Sequence, residues 1–331
     1  MKNVKSLVAL SWAMMLGGAL LTACSDDEKD EDSDLYSPYI TKVLDFCPAP
    51  GQFTNNIPVF AEGDTQQTMN QKVLAAIGNG KKGMISLGGF GGYVVVGFDH
   101  TIKNISGARD FRILGNAFYA DTNPNPNETR KGGSCEPGIV MVAYDKNQNG
   151  KPDDDEWYEL AGSEYNKKET IKNYEITYYR PDENKTPVVD ADKPHITDKE
   201  YIRWTDNQNR SGYVKKNVFN TGHSYFPQWI SGESVTFKGT LLPNNGVNES
   251  TTDEEYWVLY AYDWGYADNV PNDSEAATFD INWAVDKNGN KVSLPGVDFI
   301  KIYTGVNQDC GWIGENSTEV CGVEDLHISK K

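Results

Sequence analysis

The sequence has few basic residues and almost no histidine. Its 331 residues include 31 lysines and arginines, 48 aspartates and glutamates and 4 histidines, which gives a formal net charge of −17. A surface this acidic repels phosphate groups, so we expect no nucleic-acid partner. It also disfavours binding to anionic lipid by charge alone. A cation, a neutral sugar or a partly cationic ligand suits this charge better.

The chain also lacks the short motifs of several enzyme and metal-site classes. It contains no C-x-x-C pair, no H-E-x-x-H and no G-x-S-x-G, which are typical of zinc knuckles, zinc proteases and serine hydrolases. Its many acids offer pairs suited to glycoside hydrolysis, such as Asp263 with Glu315, but such pairs have little specificity. His223 lies in an aromatic loop, where a packing role is the more usual one. We therefore expect a protein that is not an enzyme.

A long apolar run occurs at the amino terminus. Residues 7–21 are apolar with two glycines, and Leu21-Thr22-Ala23-Cys24 resembles the lipobox of bacterial lipoproteins. We expect residues 1–23 to be a lipoprotein signal peptide and Cys24 to carry the lipid. Residues 24–37 are acidic and nearly devoid of apolar side chains, which is typical of a disordered tether. These features predict a lipid anchor in the outer membrane and a folded part that faces the cell exterior.

Four cysteines follow Cys24, and an even number in an exported chain favours disulfides. Cys310 and Cys321 are close in sequence and are suited to joining one hairpin. That pairing leaves Cys47 with Cys135. Buried free thiols fit the sequence equally well, so the pairing stays open.

One helix and many short strands are expected in residues 38–331. Thr65 or Asp64 is suited to cap a helix whose apolar residues recur at helical spacing, and Gly78 is suited to end it. Seven later segments are rich in β-branched and aromatic residues and are separated by turn residues. They are residues 93–98, 111–115, 138–144, 174–179, 234–240, 256–262 and 297–303.

This pattern predicts a mostly β fold, an antiparallel β-sandwich resembling a jelly roll with one short amino-terminal helix and long loops. Helices do not alternate with the strands, which argues against a doubly wound parallel sheet. No internal repeat is evident, which argues against a propeller. Residues 38–331 are expected to form one large domain or two tightly packed lobes.

An acidic loop at residues 145–156 has the spacing of a calcium-binding loop. Oxygen-bearing side chains occupy positions one, three, five, nine and twelve, Gly150 provides the turn at six, and a backbone carbonyl is available at seven. The expected ligands are Asp145, Asn147, Asn149, Lys151, Asp153 and Glu156. Because strands flank the loop, we expect structural Ca²⁺ between two strands; the alternative is an acidic hairpin turn. A second cation site would need Asp280, Asp286, Glu315 and Glu319 to meet in space.

Aromatic residues in loops are the best indication of a ligand site. Flat amphipathic rings beside acids and amides are suited to stacking on a sugar or a large flat ligand. The candidates surrounded by turn residues are Trp229, Trp264, Tyr266 and Trp312, with Asp263 beside them. The alternative is that these rings fill the core.

Several segments together resemble uncharacterised Bacteroidetes cell-surface lipoproteins that are labelled PKD-associated. The matching stretches are residues 86–100, 110–118, 136–142, 157–165, 262–266 and 304–307, with the acidic loop between the third and fourth. The resemblance implies an accessory role beside a TonB-dependent transporter for glycans or cobalamin.

These observations together predict a surface lipoprotein that captures a glycan or cobalamin for uptake without transforming it. The alternatives are a carbohydrate-active hydrolase and a calcium-stiffened adhesion or structural protein.

Overall fold

The computed structural model describes residues 35–252 and 254–330. The predicted signal peptide, the lipidation site Cys24 and most of the predicted tether lie outside the described residues. Within the described ranges, no helix combines the length and the apolar character needed to cross a membrane.

The fold is mostly β, as predicted, with 36% of residues in strands and 7% in helices. The α-helix α1 spans Gln66–Ile77. The strands are β1 (Lys42–Cys47), β2 (Ile85–Ser86), β3 (Tyr93–Lys103), β4 (Phe111–Leu114), β5 (Phe118–Tyr119), β6 (Gly132–Ser134), β7 (Gly138–Ala143), β8 (Trp157–Leu160), β9 (Ile171–Tyr179), β10 (Ile196–Asp206), β11 (Ser211–Asn217), β12 (Ser234–Leu241), β13 (Gly246–Asn248), β14 (Trp257–Tyr260), β15 (Thr278–Phe279), β16 (Ala284–Val285), β17 (Gly296–Thr304), β18 (Glu319–Val320) and β19 (Gly322–Asp325). Short 3₁₀ helices lie at Glu275–Ala277, Ile281–Trp283 and Gly311–Ile313.

Helix α1 forms where the sequence predicts it. The Thr65 hydroxyl accepts from the Thr68 amide, and the Thr68 hydroxyl accepts from the Thr65 amide, so two free donors at the helix start are bound. Met69, Val73 and Ile77 share the buried face. All seven predicted strands are confirmed as β3, β4, β7, β9, β12, β14 and β17.

The strands form five antiparallel sheets rather than two facing layers. Their orders are β1-β3-β17-β7-β8-β16, β11-β10-β9-β12, β13-β14-β6-β5, β15-β4-β19 and the ribbon β18-β2. The sheets are small and are arranged as a four-bladed propeller, so the predicted sandwich is wrong. The four larger sheets contain six, four, four and three strands, and their neighbours are often distant in sequence. This explains why the chain forms blades without an internal repeat.

Two hydrophobic cores cover the two faces of the six-stranded sheet. Successive strand residues point to opposite faces, so Val94 and Val96 of β3 enter the first core and Tyr93 contacts the second. The first core also contains α1 and the β15-β4-β19 sheet, and the second contains β9 and its neighbours. The six-stranded sheet is therefore packed between neighbouring sheets on both sides.

The four described cysteines are free thiols, so neither the Cys310–Cys321 pair nor the Cys47–Cys135 pair is formed. Burial raises the pKa of both Cys47 and Cys135 to about 12. Cysteine at these positions behaves as a small apolar residue.

Candidate functional site

The structure contains an open cavity of about 660 Å³, which is within the usual range for sites of drug-sized molecules. Its wall combines distant parts of the chain: the loop at residues 52–57, strands β5, β6 and β14, the segment after β11 and the segment from Trp312 to β18.

Exposed aromatic rings surround this cavity. Phe118 is 56% exposed, Phe219 65%, Trp312 46% and Tyr256 40%, and Trp257 lies beside Tyr256 in the wall. Large rings left this open on a protein surface are typical of a site that contacts a partner or ligand. We call these five residues the aromatic rim.

Carboxyl groups lie at the base of the same cavity. Glu136 and Glu319 line it while being 7% and 4% exposed, and Asp268 lies beneath them at 3%. Side-chain oxygens of the three acids all lie within 4.8 Å of one another. We call these three residues the acidic floor.

Backbone amides hold the acidic floor in place. Asp268 Oδ1 accepts from the amides of Asn116 and Ala117 at 2.7 and 2.8 Å, and its Oδ2 accepts from the Glu319 amide at 2.9 Å. Glu136 accepts from the Ser317 amide at 3.0 Å. Two hydroxyls add to these contacts: Ser134 donates to Glu136 Oε2 at 3.1 Å and Ser317 donates to Glu319 Oε1 at 2.9 Å. The spacing of the three acids would admit a divalent cation, but these contacts already engage the carboxyl oxygens.

Burial disfavours the charged form of each acid. It raises the pKa of Glu136 to about 7. Burial and the neighbouring Glu136 carboxylate raise the pKa of Asp268 to about 8. The same two causes, with Asp268 added, raise the pKa of Glu319 well above its ordinary value. The floor therefore holds protons near neutral pH that exposed acids would release.

Glu315 is a fourth acid in the cavity wall, held by Gln52. Its Oε1 accepts from the Gln52 amide at 2.7 Å, and the Gln52 side chain donates to the carbonyl of Ile313 at 2.6 Å. Burial raises the pKa of Glu315 to about 8. Trp312 and Glu315 belong to one tight turn in which Gly311 and Gly314 adopt positive φ angles of 63° and 97°. Gln52 thus binds the turn that carries both Trp312 and Glu315.

The cavity wall contains glutamates without a basic side chain. Glu136, Glu315 and Glu319 line it, and none of its lining residues is a lysine, arginine or histidine. Within the described part of the chain, none of these glutamates has an ion-pair partner, and no cation contributes to their pKa shifts. These carboxyl groups therefore have no protein cation to compensate the charge that they would carry when ionised.

The structure places one of the five predicted ligand residues, Trp312, at the cavity. Trp264 lies with its ring 4.6 Å from that of Trp283, outside the lining. Tyr266 is 2% exposed in the second core, where its hydroxyl accepts from the Glu164 amide. Trp229 is half-buried against Phe46 and Phe60. Asp263 is exposed and outside the lining, so it does not pair with Glu315 there.

Sequence reasoning missed Phe118, Phe219, Glu136 and Asp268. Phe219 is followed directly by Asn220 and Thr221, which is a weak indication of exposure, whereas Phe118 is followed by Tyr119 and Ala120 and carries no such indication. No sequence pattern marks the two acids, because their proximity arises from chain segments more than 130 residues apart. His223, the other loop candidate, contacts the Gln52 carbonyl at 2.7 Å, which is a packing role.

The acidic loop joins β7 to β8, so the predicted strand–loop–strand arrangement is confirmed. Asp145 accepts from the amides of Asn149 and Gly150 at 3.0 and 2.8 Å. The side-chain amides of Asn147 and Asn149 both donate to Asp153 Oδ2, at 2.6 and 2.9 Å. Four predicted ligands thus converge inside the loop.

Glu156 closes this loop. Its two oxygens accept from the amides of Lys146 and Asp153 at 2.9 and 3.1 Å. The Lys151 amide donates to Asn149 Oδ1 at 2.7 Å. The remaining predicted ligands therefore also belong to one compact turn.

The predicted second cation site does not form. Asp280 caps the 3₁₀ helix at Ile281–Trp283 and contacts Arg109, and Asp286 binds Asn290 in a hairpin turn. Glu315 and Glu319 lie in the cavity instead.

No family model matches the chain, and no curated protein matches it.

Proposed function

We propose that this chain is a lipid-anchored protein of the outer cell surface that captures a small organic ligand for uptake without transforming it. The observation that carries the proposal is the 660 Å³ cavity with an aromatic rim and hydrogen-bonding carboxyl groups at its base. Rings supply contact area to a flat ligand, and a few fixed polar groups orient it. The lipobox-like sequence and the resemblance to surface lipoproteins support the location and a TonB-dependent transporter as partner.

The test is binding of the mature protein to a panel of oligosaccharides and corrinoids, including cyanocobalamin, measured by calorimetry. Trp312→Ala and Phe219→Ala should each weaken binding about tenfold, because one buried ring contributes on the order of 1–2 kcal/mol. Trp264→Ala is the matched control, because this exposed tryptophan lies outside the cavity. Equal affinities for the rim variants and the wild type would place the ligand elsewhere. An absence of saturable binding would favour the adhesion or structural alternative.

A glycoside hydrolase is the second candidate, because Glu136 and Glu319 present two close carboxyl groups inside a ring-lined cavity. Turnover of any oligosaccharide that is abolished by Glu136→Gln, with binding retained, would establish this alternative in place of ligand capture.

We also propose structural Ca²⁺ in the 145–156 loop, held by Asp145, Asn147, Asn149, Lys151, Asp153 and Glu156. Its support is the convergence of these oxygen-bearing side chains between two strands.

A further inference from the structure

We infer that the ligand of this cavity is an organic cation, with a flat apolar body between the rings of the aromatic rim and a positively charged group directed at Glu315. This inference rests on the proposed function, since it names the chemical class of the captured ligand.

The charge of the wall is the first argument. The lining contains three glutamates and no basic side chain, and the glutamates have no ion-pair partner in the described ranges. Buried carboxyl groups are usually paired with a cation. A cationic ligand would supply the missing partner and favour ionisation of a carboxyl group that burial otherwise keeps protonated near neutral pH, whereas an anion would disfavour it.

The availability of Glu315 is the second argument. One of its oxygens accepts from the Gln52 amide, and no hydrogen bond to the other oxygen is found among the described residues. The acidic floor differs, because its carboxyl oxygens accept hydrogen bonds from backbone amides and serine hydroxyls. A charged hydrogen bond to Glu315 therefore requires no rearrangement of the floor.

The rim is the third argument. Trp312 is three residues from Glu315, lines the same cavity and is 46% exposed. Aromatic faces attract organic cations as well as flat apolar groups. One ligand with both features would use the ring and the acid of this turn together.

The test compares three indoles that share one ring system: tryptamine, which is cationic, tryptophol, which is neutral, and indole-3-propionate, which is anionic. Binding to wild type, Glu315→Gln, Phe219→Ala and the surface control Glu200→Gln is measured by ligand-observed NMR. Glutamine keeps the acceptor for the Gln52 backbone amide but cannot ionise beside a cation, and thermal melting checks that each variant is folded. Glu200 is exposed and lies outside the cavity.

We expect tryptamine to bind about tenfold or more tightly than tryptophol, because charged hydrogen bonds are stronger than neutral ones. Indole-3-propionate should bind least. Glu315→Gln should remove the preference for tryptamine, Phe219→Ala should weaken tryptamine and tryptophol alike, and Glu200→Gln should change neither.

Equal binding of tryptamine and tryptophol would overturn the inference and leave the proposed function standing. So would tight binding of an uncharged oligosaccharide or corrinoid that Glu315→Gln does not alter. A third outcome would also overturn the inference: calcium or zinc chloride binds the wild type, displaces tryptamine and does not bind Glu315→Gln. The ligand of the cavity would then be a metal ion and not an organic cation. If the cavity binds nothing in either panel, the proposed function itself fails.

Discussion

Raising the pH from 5.5 to 8 should destabilise this protein, and the acidic floor should be a main cause. The pKa of Glu136 is raised from 4.5 to about 7 and that of Asp268 from 3.8 to about 8 in the folded state. The unfolded chain releases these protons at lower pH, so across this window the folded state binds more protons. The free energy of unfolding therefore falls as the pH rises through the folded-state values.

The size of the effect follows from Glu136. One pKa unit corresponds to about 1.4 kcal/mol, and a group with pKa values of 4.5 unfolded and about 7 folded loses about 2 kcal/mol of stabilisation between pH 5.5 and 8. Asp268 acts in the same direction, but the two acids interact, so their contributions do not add. For a chain of this size we expect the melting temperature to fall by about 3 °C or more.

Two histidines also make the free energy of unfolding fall as the pH rises, so their effect must be distinguished from that of the acidic floor. A hydrogen bond to Asp110 raises the pKa of His327. Burial lowers the pKa of His100, but hydrogen bonds to Asp325 and Asp99 outweigh it and raise the value. Their stabilisation is present below the ordinary histidine pKa and is lost as the pH rises through the folded-state values. Glu136→Gln leaves both histidines unchanged.

The assay is thermal unfolding at pH 5.5 and 8, at constant ionic strength, for wild type, Glu136→Gln and Glu128→Gln. The fall in melting temperature should be clearly smaller in Glu136→Gln. Glu128 is a control outside the floor whose pKa is lowered to about 2 by the hydrogen-bonded Arg130, so it stays ionised throughout the window. The same fall in Glu136→Gln as in wild type would refute a buried, proton-holding floor.

Two further changes test the acidic loop and a close backbone contact. Because the 145–156 loop is proposed to bind calcium, both EGTA and the Asp145→Ala substitution in excess Ca²⁺ should lower the melting temperature. The control Asp286→Ala, in the hairpin turn at residues 286–290, should leave the effect of EGTA on the melting temperature in place. A melting temperature that EGTA does not change would contradict the site. Gly88→Ala should lower the free energy of unfolding, measured by chemical denaturation, by at least about 2 kcal/mol more than Gly107→Ala does. Both glycines have positive φ, but only at Gly88 would the added Cβ lie 2.1 Å from a backbone oxygen, that of Ala49. Equal losses of unfolding free energy in the two variants would contradict this packing.

The elements predictable from the sequence are those whose determinants are local. Helix α1 depends on a cap at Thr65 and an apolar stripe within twelve residues. The seven predicted strands carry dense β-branched or aromatic runs. Strands β10 and β11 escaped prediction because their many polar residues weaken the period-two pattern, although they pair along most of their length.

The arrangement of sheets was not predictable, because strand neighbours are set by distant pairings. Strand β17 lies between β3 and β7, about 200 and 160 residues away in sequence. A sandwich and a propeller made of short antiparallel strands give similar local patterns. What distinguishes them here is which faces are buried, and the six-stranded sheet buries both.

Of the five predicted ligand residues, the structure places Trp312 alone at the cavity, for a related reason. Turn residues surround both Trp264 and Trp312, yet one ring contacts Trp283 and the other faces the cavity. The turn that carries Trp312 is bound by Gln52, whose backbone amide donates to Glu315 across 263 residues of sequence. No short segment of the sequence includes both partners of this contact.

The cavity is where this chain departs most from the rules that shape the rest of it. Elsewhere buried positions are mainly apolar, whereas here four acids with raised pKa values lie close together and several large rings remain in solvent. Both features reduce the stability of the fold. A buried carboxyl group without a cation must either keep its proton or carry an uncompensated charge, and an exposed ring does not contribute the stabilisation that its burial would give. Local departures from consistent packing are expected at functional sites. A ligand that covers the rings and offers a cation to the acids would offset both costs at once, which is why the two features are best explained together.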